Sequence, residues 1–136
     1  MSYEKKLEQF RALFENHHNV RRSRLYSDKP SESVNVEIGY KFDKVFLTHS
    51  DGSKSGRYMV EHRTQDIYGI KSWTQVNKRR WFGQLDTVSQ YDWSESVARP
   101  IPGTIAERQQ VEREEGITAT HKKRGRKPKA AALASD

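Results

Sequence analysis

A run of alternating apolar and polar residues begins at Val34 and constrains the fold more than any other feature of the chain. Successive side chains of a β-strand point to opposite faces, so a period of two predicts a strand with one buried face. The apolar members of the run are Val34, Val36, Ile38, Tyr40 and Phe42. We expect the chain to bend at residues 43–44 and to continue as a second strand over residues 45–48.

Further strands are predicted between residues 57 and 85. Residues 50–56 contain Ser, Asp and Gly, a composition typical of a loop, so residues 45–49 and 57–63 are expected to pair as a hairpin. Residues 67–70 and 80–85 are predicted to be two more strands, and the pattern of residues 71–79 assigns no structure. The apolar region from Val34 to Trp93 contains all 3 Trp residues, so we expect the core to lie there.

The first residues of the chain predict an amphipathic helix. Apolar side chains recur there at intervals of three or four, and charged side chains occupy the opposite side. Ser2 is the expected N-cap, and the pattern fades at residues 16–19. The apolar positions are Tyr3, Leu7, Phe10 and Phe14, with Leu13 beside them.

A second, polar helix is expected after a linker at residues 99–103, which contains two Pro and one Gly. Thr104 and Glu107 have the spacing of a capping box. In that motif each side chain accepts a hydrogen bond from the backbone N–H of the other residue. Gly116 is the expected C-cap, and the polar, charged residues that follow it predict disorder.

These patterns predict an α+β fold in which the N-terminal helix packs on a small antiparallel sheet of four or five strands. Residues 1–98 would form this domain, residues 99–116 the linker and the capped helix, and residues 117–136 a disordered basic tail.

The composition excludes several classes of protein. With 0 Cys, the chain has no disulfide framework, no Cys-type zinc site and no thiol catalysis. No run approaches the roughly 18 apolar residues of a membrane span, and the first residues lack the apolar centre of a secretory signal. We therefore expect a protein of the cytoplasm, or of the nucleus in a eukaryote, without membrane contact.

The net charge of +7 is unevenly distributed along the chain. Residues 119–136 hold six Lys or Arg and one Asp, a net charge of +5, whereas residues 1–118 are close to neutral at +2. A segregated basic segment is typical of proteins with a polyanionic partner.

The segment that reads Lys-Lys-Arg-Gly-Arg-Lys-Pro-Lys over residues 122–129 resembles an AT-hook. That family centres on Arg-Gly-Arg in an extended backbone, whose two Arg side chains lie along the narrow minor groove of A·T-rich DNA. Lys127 departs from the strict motif, which has Pro directly after the second Arg. The resemblance implies that Arg124, Gly125 and Arg126 form the reading core. The predicted DNA-contacting residues are Lys122, Lys123, Arg124, Gly125, Arg126, Lys127 and Lys129.

The alternative interpretation is an unspecific polybasic tail, which in a nucleated cell could serve as a nuclear import signal.

A second basic cluster lies within the domain, at Lys78, Arg79, Arg80 and Trp81. Many proteins bind unpaired bases by stacking them on an aromatic ring beside cationic side chains. This cluster is therefore a candidate secondary nucleic-acid contact. Alternatively, the aromatic side chains of a strand belong to the core and the arginines to its solvated face.

Catalytic and metal sites have little support in the sequence. The His residues have no regular ligand spacing, so no metal site and no cofactor are predicted. Glu37, Asp43 and Glu61 could be imagined as the metal cluster of a nuclease, but acidic residues at alternating strand positions are usually a solvent face.

The middle of the chain is similar to small uncharacterised proteins of tailed phages. The similarity lies in residues 66–73, 83–87 and 91–94. It implies an infected bacterial cytoplasm, with host DNA, phage DNA or host proteins as partners.

The sequence therefore predicts a non-enzymatic protein that binds duplex DNA, preferably A·T-rich, through its basic tail. Homo-oligomerisation would strengthen such binding by raising the effective concentration of tails. The alternatives are a module that binds a host or virion protein, with an auxiliary tail, and a nuclease.

Overall fold

The computed structural model describes the backbone of residues 2–126 and the side chains of residues 2–116. The chain begins with helix α1, Tyr3–Leu25, and the predicted cap is confirmed because Ser2 Oγ accepts a hydrogen bond from Lys5 N at 3.3 Å. The predicted apolar stripe is also confirmed, since Leu7, Phe10 and Phe14 are buried.

Helix α1 continues beyond residues 16–19, where the apolar pattern fades. Its last turns are polar because they bind the following loop: Asn19 exchanges two hydrogen bonds with the backbone of Glu32, and Arg22 Nε donates to Pro30 O at 2.9 Å. Polar contacts of this kind leave no hydrophobic periodicity in the sequence.

A five-stranded antiparallel sheet follows α1, with the strands adjacent in chain order. The strands are β1 (Ser33–Glu37), β2 (Phe42–Thr48), β3 (Lys54–Glu61), β4 (Asp66–Ser72) and β5 (Gln75–Gln84). The predicted α+β class, with the N-terminal helix on an antiparallel sheet, is confirmed. The hairpin of β2 with β3 and the strands near residues 67–70 and 80–85 are confirmed as well.

The prediction of one strand from Val34 to Phe42 is wrong. The chain reverses between β1 and β2, so that Glu37 pairs with Lys44, and Ile38 and Tyr40 lie in the turn with 73% and 93% of their surface exposed. Asp43 shapes this turn, because its Oδ1 accepts a hydrogen bond from Gly39 N at 3.0 Å.

The predicted bend at residues 43–44 is wrong for the same reason, since both residues lie inside β2 and are buried. Asp43 is stabilised there by polar partners: Tyr3 Oη donates to its Oδ2 at 2.8 Å, and His62 Nε2 lies 2.8 Å from its Oδ1.

The core lies between α1 and the inner face of the sheet. Trp93 is fully buried at its centre, with its ring 4.6 Å from Phe10 and 5.2 Å from Tyr58, centroid to centroid. A 3₁₀ helix at Leu85–Gln90 and the short strands β6 (Tyr91–Asp92) and β7 (Arg99–Pro100) close one end of the core. The inner-face residues of this cluster include Val45, Leu47, Val60, Ile67 and Phe82.

The opposite face of the sheet is called the outer face below. It is formed by Phe42, Lys44, Phe46, Met59, Tyr68, Ile70 and Trp73, none of which belongs to the main core.

Helix α2 spans Ile105–Arg126 and docks on the body through Ala106, which is fully buried. Thr104 Oγ1 accepts from Glu107 N at 3.3 Å as predicted, whereas Glu107 Oε1 accepts from Gly103 N rather than from Thr104 N. The helix does not end at Gly116, since one glycine costs a helix interior only about 1 kcal/mol relative to alanine. Residues 127–136, the rest of the predicted disordered tail, lie outside the described residues.

Within residues 2–126, neither helix has the length and apolar character needed to cross a membrane.

Candidate nucleic-acid interface

A cleft of about 530 Å³ separates β5 from β7 and α2. Four arginines and two glutamates line it, and we call it the arginine cleft. These charged residues are Arg79, Arg80, Arg99, Arg113, Glu107 and Glu114. The lining charge is therefore positive, and the apolar wall between the arginines includes Trp81, Phe82, Val97 and Val111.

Strand β5 supplies Arg79, Arg80 and Trp81, three of the four residues of the predicted secondary contact. Both arginines are exposed. The stem of Arg80 crosses β4 at Gly69, where an added Cβ would lie 3.0 Å from Arg80 Cβ. Gly69 therefore leaves room for the side chain of Arg80 beside the cleft.

Trp81 forms a wall of the cleft and is half-buried, while its neighbour Phe82 is buried in the core. The indole Nε1 donates a hydrogen bond to Asp66 Oδ1 at 2.9 Å, and the guanidinium carbon of Arg113 lies 4.9 Å from the ring centroid. These contacts fix the Trp81 ring at the cleft, and the core interpretation holds for Phe82.

Helix α2 is attached to β5 by side chains that donate to the backbone of that strand. Gln110 Nε2 bonds Trp81 O at 2.6 Å and Tyr91 Oη at 2.8 Å, and an Nη of Arg113 bonds Lys78 O at 3.0 Å. Burial raises the pKa of Tyr91 despite the hydrogen bond from Gln110, so its hydroxyl stays neutral. The Nε of Arg113 is buried and has no hydrogen-bond partner among the described residues, which leaves one donor of the cleft unused.

Lys78, the fourth residue of the predicted contact, lies on the outer face instead of in the cleft. Its Nζ is 5.7 Å from the ring centroid of Phe42 and 5.8 Å from that of Tyr68. The pairing of β4 with β5 shifts register beside Tyr68, so simple alternation along β5 does not determine which residues reach the cleft.

The predicted basic segment follows directly from the cleft. Residues 122–126 form the last turn of α2, so Lys122, Lys123, Arg124, Gly125 and Arg126 are helical in their backbone. Arg126 lies 13 positions after Arg113, a distance of roughly 20 Å along a helix that rises 1.5 Å per residue. Lys127 and Lys129 lie outside the described residues.

Sequence reasoning missed Arg99 and Arg113 as members of the cleft. Arg99 follows a loop and Arg113 lies in a helix rich in both charges, so neither stands out locally. Only the docking of α2 and β7 beside β5 brings them together, and no feature of the sequence reports that docking.

The three acidic residues considered for a nuclease do not converge. Asp43 bonds Tyr3 and His62 on the inner side, Glu37 Oε2 lies 3.5 Å from Lys44 Nζ, and Glu61 Oε1 accepts from Thr64. Across the part of the chain with described side chains, no three His, Asp or Glu residues are placed to hold a metal ion.

No family model matches the chain, and no curated protein or solved structure shows significant similarity to it.

Proposed function

We propose that the protein is a non-enzymatic DNA-binding protein whose interface combines the arginine cleft with the basic segment at the end of α2. One observation carries this proposal: α2 is a single helix from Arg113 in the cleft to Arg126 in the basic segment. The arginine of the cleft and the first residues of the basic segment therefore belong to the same helix.

The chemistry of the cleft supports an anionic partner. Guanidinium groups bind phosphate oxygens in paired hydrogen bonds, and they pay a smaller hydration penalty than ammonium groups. Phosphate contacts of this kind position a protein on DNA without reading sequence.

The basic segment supplies the sequence preference in this proposal. An AT-hook-like contact needs an extended backbone in the minor groove, whereas residues 122–126 are helical in the free chain. Binding would therefore unwind the last turn of α2. Gly125 lowers the cost of that unwinding, because glycine is a poor helix former. The resemblance to phage proteins favours the cytoplasm of an infected bacterium as the place where DNA is met.

Deletion of residues 119–136 tests the proposal when duplex affinity is measured over a range of salt concentrations. The plot of log affinity against log salt has a negative slope, and loss of six cations is expected to make that slope shallower by about 5. An intact chain that does not bind duplex DNA, or a deletion that leaves its affinity and slope unchanged, would contradict the proposal.

A charge-matched variant separates an AT-hook-like contact from an unspecific tail. Replacing Arg124→Lys and Arg126→Lys keeps the charge and removes the flat guanidinium groups. The proposal expects an unchanged salt slope with loss of the preference for A·T-rich over G·C-rich duplexes. An intact chain that shows no such preference has an unspecific basic tail.

A further inference from the structure

We infer that the outer face of the sheet binds single-stranded DNA, with Tyr40 and Trp73 as platforms on which unpaired bases stack. The inference rests on the proposed function and extends it, because it assigns a second class of DNA to a different surface. The combined partner would be DNA in which a duplex adjoins an unpaired strand.

Aromatic rings and lysines alternate across the outer face. Lys44 Nζ lies 3.8 Å from the ring centroid of Trp73, and Lys54 Nζ lies 5.4 Å from that of Phe46. Trp73 is seated against Gly56, where an added Cβ would lie 3.6 Å from its ring, and 38% of Trp73 remains exposed. An ordered ring with an accessible surface is the arrangement that base stacking requires.

A pocket of about 320 Å³ opens on the same face, between the β1–β2 turn and the β4–β5 turn. Its lining includes Tyr40, Phe42 and Met59, together with the exposed Lys41 and the buried ion pair of Lys44 with Glu37. Tyr40 is 93% exposed although its sequence pattern is that of a buried residue. A large aromatic side chain exposed to solvent beside a pocket that Lys41 lines is suited to a planar, uncharged base with a phosphate next to it.

The charge of the face favours a nucleic acid over an apolar peptide. The exposed cations are Lys41, Lys54 and Lys78, whereas Lys44 is buried and paired with Glu37. The carboxylates at its margins are already engaged, since Glu37 pairs with Lys44 and Asp66 accepts from Trp81. Cationic surfaces interleaved with rings are the recurring design of single-strand binding sites.

The outer face is continuous with the arginine cleft at β5. Lys78 lies over Phe42 and Tyr68 on the outer face, and Trp81, three residues later, lines the cleft. The two surfaces therefore adjoin at β5, so a strand that leaves a duplex bound at the cleft can pass onto the outer face.

Tyr40→Ala in the full chain tests the inference, with binding of labelled oligothymidylate measured by fluorescence anisotropy. We expect affinity for the single strand to fall about tenfold, which is within the range for losing one stacked base. Affinity for a duplex should change by less than about twofold, because duplex binding is assigned to the cleft and the basic segment. Tyr26→Ala is the matched control, since Tyr26 is also an exposed tyrosine, at 48%, but lies at the end of α1.

Tryptophan fluorescence provides a second measurement that does not depend on a truncated side chain. Oligothymidylate should quench the emission of the intact chain, and Trp73→Phe should retain binding while losing that quenching.

The inference is overturned if the intact chain binds duplex but not single-stranded DNA, or if Tyr40→Ala binds the single strand as tightly as the intact chain. It is also overturned if Tyr40→Ala abolishes self-association instead, which would make the face a contact between two copies. Deletion of residues 119–136 distinguishes the two proposals, because it should weaken duplex binding more than single-strand binding.

Discussion

The Nδ1 of His49 lies 2.8 Å from Oε2 of Glu32, and this contact joins the residue after β2 to the residue before β1. His18 of α1 approaches the other oxygen, with its Nε2 2.8 Å from Glu32 Oε1. Only 6% of the Glu32 side chain is exposed. Burial opposes ionisation, but the hydrogen bonds from His49 and His18 outweigh it and hold the pKa of Glu32 below its usual value. The carboxylate therefore fastens α1 to the edge of the sheet.

Glu32→Gln should destabilise the fold by about 1–3 kcal/mol at neutral pH, because it removes the charge from a buried carboxylate that two histidines hydrogen-bond. A carboxyl whose pKa is lowered on folding stabilises the native state above its unfolded pKa, about 4.3. That contribution is lost as the pH falls through the lower pKa of the folded state. Urea unfolding at several pH values should therefore show the difference between the two proteins shrinking in acid. The exposed Glu112→Gln is the control and should change stability little at any pH.

Phe10→Ala should cost about 3–5 kcal/mol, because Phe10 is fully buried and packs on Trp93, Tyr58 and Phe14. Thermal unfolding followed by near-ultraviolet circular dichroism would measure this loss together with the ordering of Trp93. Leu25→Ala, at the exposed end of the same helix, should shift the transition only slightly. Equal shifts for the two variants would contradict the assignment of the core to the first half of α1.

Gly83 and Gly103 form a matched pair for backbone strain. Both have positive φ, +77° and +85°, which an alanine adopts at a cost of about 1–2 kcal/mol. The two glycines differ in the room for a side chain. A Cβ at Gly83 would lie 2.7 Å from Thr87 Oγ1, whereas a Cβ at Gly103 would meet nothing within 4 Å. Gly83→Ala should therefore reduce the free energy of unfolding more than Gly103→Ala in the same urea titration.

Arg79→Ala combined with Arg80→Ala should make the salt dependence of duplex binding shallower by about 2 in the slope of log affinity against log salt, because two phosphate contacts are lost. The pair Arg24→Ala and Arg63→Ala removes the same charge from exposed positions that do not line the cleft. That control should leave the slope nearly unchanged. Equal effects would show that net charge, rather than the cleft, governs affinity.

Local periodicity predicted the elements whose side chains face the core. The stripe of α1 and the pairing of β2 with β3 follow from residues that are neighbours in the chain, so the sequence contains their signal. Ile38 and Tyr40 continued the strand pattern into a turn, because alternation records polarity and not chain reversal. The polar end of α1 was missed because its contacts are hydrogen bonds to a loop.

The site was predictable only where its residues are consecutive. Arg79, Arg80 and Trp81 stand together in the sequence, and the structure places all three at the arginine cleft. Arg113 bonds the carbonyl of Lys78 across 35 positions of the chain, a relationship that depends on how α2 docks. Long-range packing of this kind leaves no periodic trace.

The helices also protect the two open borders of the sheet. At one border, Glu15 Oε2 accepts from Val34 N at 2.9 Å and Arg11 donates to Val34 O at 3.0 Å; at the other, Gln110 and Arg113 bond carbonyls of β5. An unsatisfied strand border is a template for pairing with another chain. A chain shortened before Ile105 would therefore uncover one such template and tend to aggregate, whereas one shortened after Gly116 would keep it sealed and stay dispersed.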